Sequence, residues 1–341
     1  MFGRYFSPRT DPCPGNSGSG NKKIFQEFSL IKRRIPFNKF YIRFLRTCLN
    51  TVIFVPGNIM SAPRENFLQL LEKIPAFPES VHRILVLTSD IDCPSKDLVE
   101  VVRHDPIFTL KILKVVNSPL FGLVQKITSI DQACVYVGVN TIKNIALGLA
   151  SIGALPGKNK AGFSMNDFWL HSLGVGTVAW KLGEALHVPP SEVGDYFAAG
   201  LLHDVGKVVF ALHMSEEFKQ ALDNSAKNGH ALYEAEREII GTTHADMGAM
   251  LAKKWSLPEN LTACIAGHHD SDVAERPMIQ DCVFAANQVG KRLKYGFAGN
   301  LKEEDLPQSL LDRFSMGLDE IIESMPDLDE EMENAKVFIQ L

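Results

Sequence analysis

No apolar run in this chain reaches the roughly 18–20 residues that a membrane-crossing helix needs. The nearest, FYIRFLRTCLNTVIFVP, is interrupted by Arg43, Arg46 and Asn50, and it lies too far along the chain for a secretory leader. A membrane span is therefore not expected. Paired cysteines are also lacking. The six, Cys13, Cys48, Cys93, Cys134, Cys264 and Cys282, stand too far apart for a CxxC-type zinc or redox motif. That spacing fits a reducing compartment and predicts a cytoplasmic protein. There is no basic surplus: 35 Lys and Arg face 40 Asp and Glu, a net charge of -5. Nucleic acid is accordingly not the expected partner. No internal repeat and no alternating apolar–polar segment is visible, so strands are not expected either.

What remains is a chain of 341 residues, 45% hydrophobic and 22% charged, able to bury a sizeable core. Residues 1–59 differ from the rest: they are basic, with Asp11 and Glu27 as their acids, and contain the Pro/Gly/Ser-rich stretch DPCPGNSGSGN. Three readings apply to them: a disordered basic arm, a weak membrane-surface anchor, or a stretch preceding a true start at Met60.

After Met60 the pattern is helical, and the fold class expected is all-α. ENFLQLLEKI places Phe67, Leu70, Leu71 and Ile74 at helical spacing. Ser95 is expected to cap a helix that buries Leu98, Val101 and Val102. Asp105 with Pro106 is a strong start signal for a helix whose expected apolar face is Ile107, Leu110, Leu113 and Val115 or Val116. Ser129 with Gln132 reads as a capping box. NTIKNIALGLASIGAL is apolar nearly all round, as a buried helix is. LPGKNKAGFS divides a smaller helical half, 61–155, from a second half, 160–293. An acidic tail, 294–341, is expected to add one or two small docking helices. Trp169, Trp180 and Trp255 read as core.

In the second half, SEVGDYFAAGLLHDVGKVVFAL reads as one helix with a polar interruption, His203-Asp204, in its apolar run. His203 and Lys207 are four residues apart and would share a face; Asp204 lies about 100° round, near enough for both side chains to reach one ion. Gly200 and Gly206 each cost about 1 kcal/mol relative to Ala inside a helix, so they predict close approach of a neighbour. Further His candidates are His171, His244 and the pair His268-His269. Adjacent residues on a helix point different ways, so at most one of that pair is expected on a given ion. Mixed His and carboxylate ligands suit Fe, Mn, Zn or Ni, and Lys207 could hold a phosphate oxygen. The alternative is a buried polar pair that hydrogen-bonds between helices, with His244 no more than a helix N-terminal residue behind Thr242 and Thr243.

HDVGK with an isolated His on an earlier helix resembles the HD superfamily of metal-dependent phosphohydrolases. The ordered set NSPLFG, ITSIDQACVYVG, FWLHS, GLLHDVGK, HADMG, KKWSLP and HH is similar to the HDOD family, over roughly 67–293. This resemblance implies an all-helical HDOD-like domain, 61–293, with an HD-type core. Relatives of the HD-GYP type hydrolyse cyclic dinucleotides at a two- or three-metal site. Carried over, their ligand pattern falls on His171, His203, Asp204, His244, His268 and His269, with Lys207 as the candidate catalytic group. HDOD members are instead regarded as signalling modules. Two departures from the HD-GYP pattern point the same way: Asn287 stands where the closing Asp is expected, Asp281 being too far upstream, and no GYP element is visible. The function expected is a bacterial-type regulatory module that acts through signalling proteins and has at most a degenerate or regulatory metal site. The alternative is a metal-dependent phosphohydrolase of a nucleotide or cyclic dinucleotide.

Overall fold

The computed structural model of the chain describes residues 64–88, 94–270 and 276–340. Residues 61–341 cluster as one compact unit. The basic segment 1–59, the candidate start at Met60, and Cys13, Cys48 and Cys93 lie outside the described residues.

Among the described residues all regular structure is helical. In chain order the helices are α1 (Arg64–Glu72), α2 (Glu79–Thr88), α3 (Ser95–Arg103), α4 (Pro106–Val116), α5 (Ile130–Tyr136), α6 (Val139–Ala154), α7 (Met165–Ala185), α8 (Pro190–Leu202), α9 (Val205–His213), α10 (Ser215–Asn228), α11 (Leu232–Ile239), α12 (His244–Lys254), α13 (Glu259–Gly267), α14 (Met278–Leu293), α15 (Gln308–Phe314), α16 (Leu318–Glu323) and α17 (Leu328–Ala335). Short 3₁₀ turns occur at Pro119–Phe121 and Lys336–Phe338. No single described helix is long and apolar enough to cross a membrane.

Start signals hold where a side chain can reach the backbone. Asp105 accepts from Phe108 N ahead of Pro106. Ser129 accepts from Gln132 N, but the Gln132 side chain turns back to Thr128 N rather than closing the expected box. Ser95 is not a cap: Pro94 occupies that position and Ser95 is already helical. The buried face of α4 also differs from the expected one. Phe108, Ile112, Val115 and Val116 are buried, whereas Ile107 and Leu110 are 72% and 68% exposed. Every second or third residue of α4 is apolar, so spacing alone allows either face, and Phe108, the largest side chain, takes the core. The tail forms three short helices and a 3₁₀ turn where one or two helices were expected.

Helix α7 lies at the centre, packed by α8 and α14. α8 also packs on α6, and there Asp195 accepts from Asn140, Lys143 and Asn144 of α6 and from Asn260 of α13. Burial would raise the Asp195 pKa, but Lys143 and the amides outweigh it and hold it low. Lys254 of α12 donates to the carbonyls of Leu71 and Ile74, and Trp255 donates to Pro75 O, fastening α1 to α12.

Glycine sets the two crossings that matter most. A Cβ on Gly200 would lie 2.6 Å from Gly176 Cα, so α7 and α8 touch backbone to backbone. A Cβ on Gly206 would lie 2.0 Å from the His244 carbonyl oxygen, so α9 rests directly on α12. Both close approaches expected from Gly200 and Gly206 are thus present. Gly206→Ala is expected to lower stability by more than the ~1–3 kcal/mol of ordinary overpacking, because backbone cannot yield as a side chain does. Gly229→Ala, at φ +67° in open space, should cost only about 1–2 kcal/mol. Urea unfolding of both variants checks the order; equal losses would remove the argument for backbone contact at Gly206.

Candidate metal centre

The stretch expected to be one helix is two. α8 ends at Leu202, α9 begins at Val205, and His203-Asp204 forms the joint, with Asp204 at φ −98° and ψ 7°. The His203 Nδ1 lies 2.7 Å from the carbonyl of Gly200, one turn back. Lys207 reaches back along the first turn of α9 to Asp204, with Nζ 2.6 Å from Oδ2. His203 and Asp204 are fully buried, and Lys207 nearly so.

All six candidate ligands converge on this joint. His171 comes from the middle of α7, with Nε2 3.8 Å from Asp204 Oδ2. His203 Nε2 is 3.2 Å from the same oxygen. His244 is the first residue of α12, held there by a Thr243–Asp246 capping box; its Nε2 is 3.1 Å from Asp204 Oδ1. His268 Nε2 is 3.5 Å from Oδ1. His269 Nε2 is 3.0 Å from His244 Nε2. Two ligand groups result, His171–His203–Asp204 and Asp204–His244–His268–His269, the donor atoms of each lying within 4.8 Å of one another. Asp204 belongs to both.

At most one of His268 and His269 was expected on a given ion; the structure places donor atoms of both in the second group. α13 ends at Gly267, and both residues sit in the turn that follows, closed by Asp270 N donating to Gly267 O. Their rings lie 4.1 Å apart, centroid to centroid. Turn geometry, unlike helical geometry, lets neighbours point together. Being the first residue of a helix and facing the cluster are compatible for His244: it does both.

The hydrogen-bond network assigns the tautomers. His203 Nδ1 donates to Gly200 O, and His268 Nδ1 donates to Ile265 O at 2.8 Å. His244 Nδ1 donates to Glu236 Oε2 at 2.6 Å, and the same oxygen takes the His244 backbone N–H at 2.8 Å. Each Nε2 is then a lone pair, and each faces a carboxylate oxygen of Asp204. Acceptors facing acceptors at 3.1–3.5 Å in a dry interior repel unless a cation or a proton lies between them. Both nitrogens of His171, His203 Nε2, Asp204 Oδ1 and Asn287 Oδ1 are buried without a hydrogen-bond partner. Buried polar atoms are seldom left so. This donor set fits a divalent metal, and the Glu236–His244 pair has the form of a carboxylate that orients a ligating imidazole.

Titration agrees. Burial, reinforced by His203, pulls His171 down to about 3. Burial also brings His268 down to about 3, and with His268 beside it holds His269 well below the usual imidazole range. Neutral imidazoles are the form that binds metal. Burial would lower His244 too, but Glu236 and Asp204 raise it. For Asp204 burial acts upward, and positive charge beside it, a proton on His203 or the Lys207 ammonium, overturns that and keeps the carboxylate ionised.

Asn287 lies on the pocket wall, one turn before Lys291 on α14. Asp281 does not substitute: it pairs with Arg276 and Arg313, away from the cluster. Three site residues were not read from the sequence. Glu236 is one; it falls on the apolar stripe Leu232, Ala235, Ile239 of α11, and an acid on a core stripe is the signal that could have found it. Lys291, 7% exposed, and Glu304, which bonds it at 3.3 Å, are the others. No local pattern marks them, because Glu304 arrives from the segment after α14.

In metal-free protein, three imidazoles resist protonation and one favours it. The unfolded chain, with His near 6.5, then binds more protons than the folded chain as pH falls below that value, so stability is present above pH 6.5 and drains away below it. A loss of ~1–3 kcal/mol per pH unit is expected between pH 6.5 and 5. Urea unfolding of chelator-treated protein measures it; flat stability over that window would contradict the assignment.

Comparison with known proteins gives a consistent family. The HDOD domain profile matches residues 74–271. An uncharacterised protein of Treponema pallidum (strain Nichols) is 27% identical over 247 residues, 72% of this chain and 46% of its own length, so the chain spans about half of that relative. Among crystal structures, an HDOD domain protein of unknown function from Geobacter sulfurreducens is 24% identical with a TM-score of 0.65, covering 82% of this chain and 100% of its own. A protein from Shewanella amazonensis SB2B, provisionally named a phosphohydrolase, is 22% identical with a TM-score of 0.61, over 80% and 97%. One from Marinobacter aquaeolei VT8, provisionally named for signal transduction, is 21% identical with a TM-score of 0.64, over 81% and 66%. Such identities show the shared fold. The matched profile spans more than half of the chain and contains every histidine of the cluster, and on that ground the chain belongs to the HDOD domain family.

Proposed function

We propose that this chain is a cytoplasmic regulatory module whose HD-type cluster binds a divalent transition metal, and that it acts through signalling proteins rather than by turning over a nucleotide. The observation that carries this reading is the closed state of the cluster. Its ligand atoms are buried, and the adjoining pocket, lined by Lys207, His244, His269, Asn287, Lys291 and Glu304, leaves a cavity of about 10 Å³. That is about the room of one water. A nucleotide does not fit in it. The ligand set is also poor in charge: Asp204 is the one carboxylate among the six converging ligands, and Asn287 adds none.

His171, His203, Asp204, His244, His268 and His269 would hold the metal, and Fe, Mn, Zn or Ni suits these donors. Bound there, the ion would cross-link α7, the α8–α9 joint, α12 and the turn after α13. Exposed Ile107 and Leu110 on one face of α4 supply apolar surface of the kind that protein partners cover.

The second reading, a metal-dependent phosphohydrolase of a nucleotide or cyclic dinucleotide, is favoured by two buried lysines on the pocket, Lys207 and Lys291, which are groups suited to phosphate oxygens. Metal-loaded chain assayed against nucleotides and cyclic dinucleotides separates the two: the regulatory reading expects no turnover, and hydrolysis abolished by Asp204→Ala would replace it with the enzyme.

Metal content by inductively coupled plasma mass spectrometry tests the site itself. Chain purified without chelator or His-tag is expected to carry at least about one equivalent of metal, lost in His203→Ala/Asp204→Ala. A folded wild-type chain that takes up none from excess ions would defeat the proposal. Glu236→Gln should keep the fold and weaken metal binding about 10–100-fold, measured by competition with a chromophoric chelator.

A further inference from the structure

The 3₁₀ turn Pro119–Phe121, α7, α8 and α17 line a cavity of about 140 Å³ that shares no residue with the His/Asp cluster. Its walls are aromatic. Phe121 comes from the turn, Trp180 from α7 and Phe197 from α8. The rings are set on edge rather than stacked: Trp180 meets Phe121 at 5.6 Å and 69°, and Phe197 at 5.9 Å and 77°. Thr177 and Phe197 form a buried floor, whereas Lys181, Glu184 and Glu331 stand at the solvent side. The wall from the tail is built into the fold. Leu328, Met332 and Ala335 of α17 are buried, Tyr295 donates to Asp329, and the buried Phe338 ring lies 5.1 Å from Phe197. A cavity formed by packed elements spares a ligand the cost of ordering its site.

Two polar features mark this cavity as a site. Thr177 lines it, and the Thr177 hydroxyl oxygen is buried with no hydrogen-bond partner, a state that buried polar atoms seldom keep. The charges are also unbalanced. Glu331 is committed to Lys181 at 2.7 Å. Glu184 accepts from Trp180 Nε1 at 2.9 Å and has no cationic partner among the described residues. The groove alongside shares Lys181 and Glu184 and adds a further acid, Asp327.

We propose that this cavity binds a small organic cation, an amine or quaternary ammonium that carries one polar group. Aromatic faces attract cations through the ring quadrupole, most strongly when the charge is out of water, and indole is the best of the rings. Glu184 supplies the countercharge, and Thr177 the partner for the polar group. A space of about 140 Å³ takes a molecule the size of benzene. That suits a trimethylammonium group and excludes a nucleotide. Two carboxylates against one paired ammonium disfavour an anion, and a neutral ligand leaves Glu184 uncompensated. The site goes beyond the regulatory reading and does not depend on the metal: Thr177 lies six residues past His171 on α7, about 9 Å along its axis.

The test is isothermal titration of choline into the full chain, and separately of the neutral alcohol in which a tert-butyl group replaces the trimethylammonium. Choline is expected to bind about ten-fold or more tightly than the alcohol. Glu184→Gln, at an exposed position, keeps an oxygen for Trp180 and removes the charge; it should weaken choline several-fold and leave the alcohol unchanged. Trp180→Leu should abolish the preference for choline, and Phe121→Leu, on the turn, carries the ring test should Trp180→Leu not fold. Equal binding of choline and the alcohol would overturn the cation. No binding of choline, or binding that the folded ring variants leave unchanged, would overturn the site. Metal content measured in the same samples keeps the two proposals apart: choline binding to a metal-free chain counts against the cluster alone, and metal-loaded chain that ignores choline counts against the cavity alone.

Discussion

Asp204 is the group on which the rest of this structure depends. It is a fully buried carboxylate with four imidazoles and one ammonium turned toward it, and three of those imidazoles have committed their other nitrogen elsewhere. A buried carboxylate is costly unless it is compensated. Lys207 compensates one oxygen. The imidazole lone pairs, turned inward by Gly200 O, Ile265 O and Glu236, do not compensate the other. They add to the demand for a cation. A buried His/Asp group of this kind could bind a metal, which would satisfy those atoms together.

The architecture follows from bringing those groups together. Backbone contact at Gly176–Gly200 draws α7 against α8, and contact at Gly206 draws α9 onto the start of α12. Neither crossing would close with a side chain at the contact. The joint at His203-Asp204 lies between the two crossings, so distance between the elements is set by glycine and direction by the joint. Lys291 and Glu304 complete the pocket wall, and Glu304 offsets the burial that drives Lys291 toward deprotonation.

Much of this was legible from residue order. The all-α class, the Asp105, Ser129 and Thr243 helix starts, and the two interior glycines as close contacts could all be read, because each rests on a local rule or a short spacing. The six candidate ligands could be listed as what the family resemblance implies. Their geometry could not. A continuous helical period runs through GLLHDVGK, and nothing in it shows that the His203 imidazole takes a carbonyl of its own helix and the chain turns there. The same reliance on helical spacing misplaced His269, which lies in a turn, and chose the wrong face of α4, where apolar residues occur on both sides. Glu304 was beyond reach: its partners are 13 and 35 residues away in the chain, and only tertiary structure brings them together.

The central claim is that a cation, and not a proton, occupies the point between Asp204 and the Nε2 atoms. Anomalous diffraction from crystals of untagged protein, collected on both sides of the Fe, Mn, Ni and Zn edges, addresses it directly. The account predicts an edge-specific peak within bonding distance of an Asp204 carboxylate oxygen and at least two of the imidazole Nε2 atoms, with the Nδ1 contacts to Gly200, Ile265 and Glu236 unchanged. No peak at any edge, in crystals grown with those ions present, with a proton shared between His244 and Asp204 instead, would contradict it.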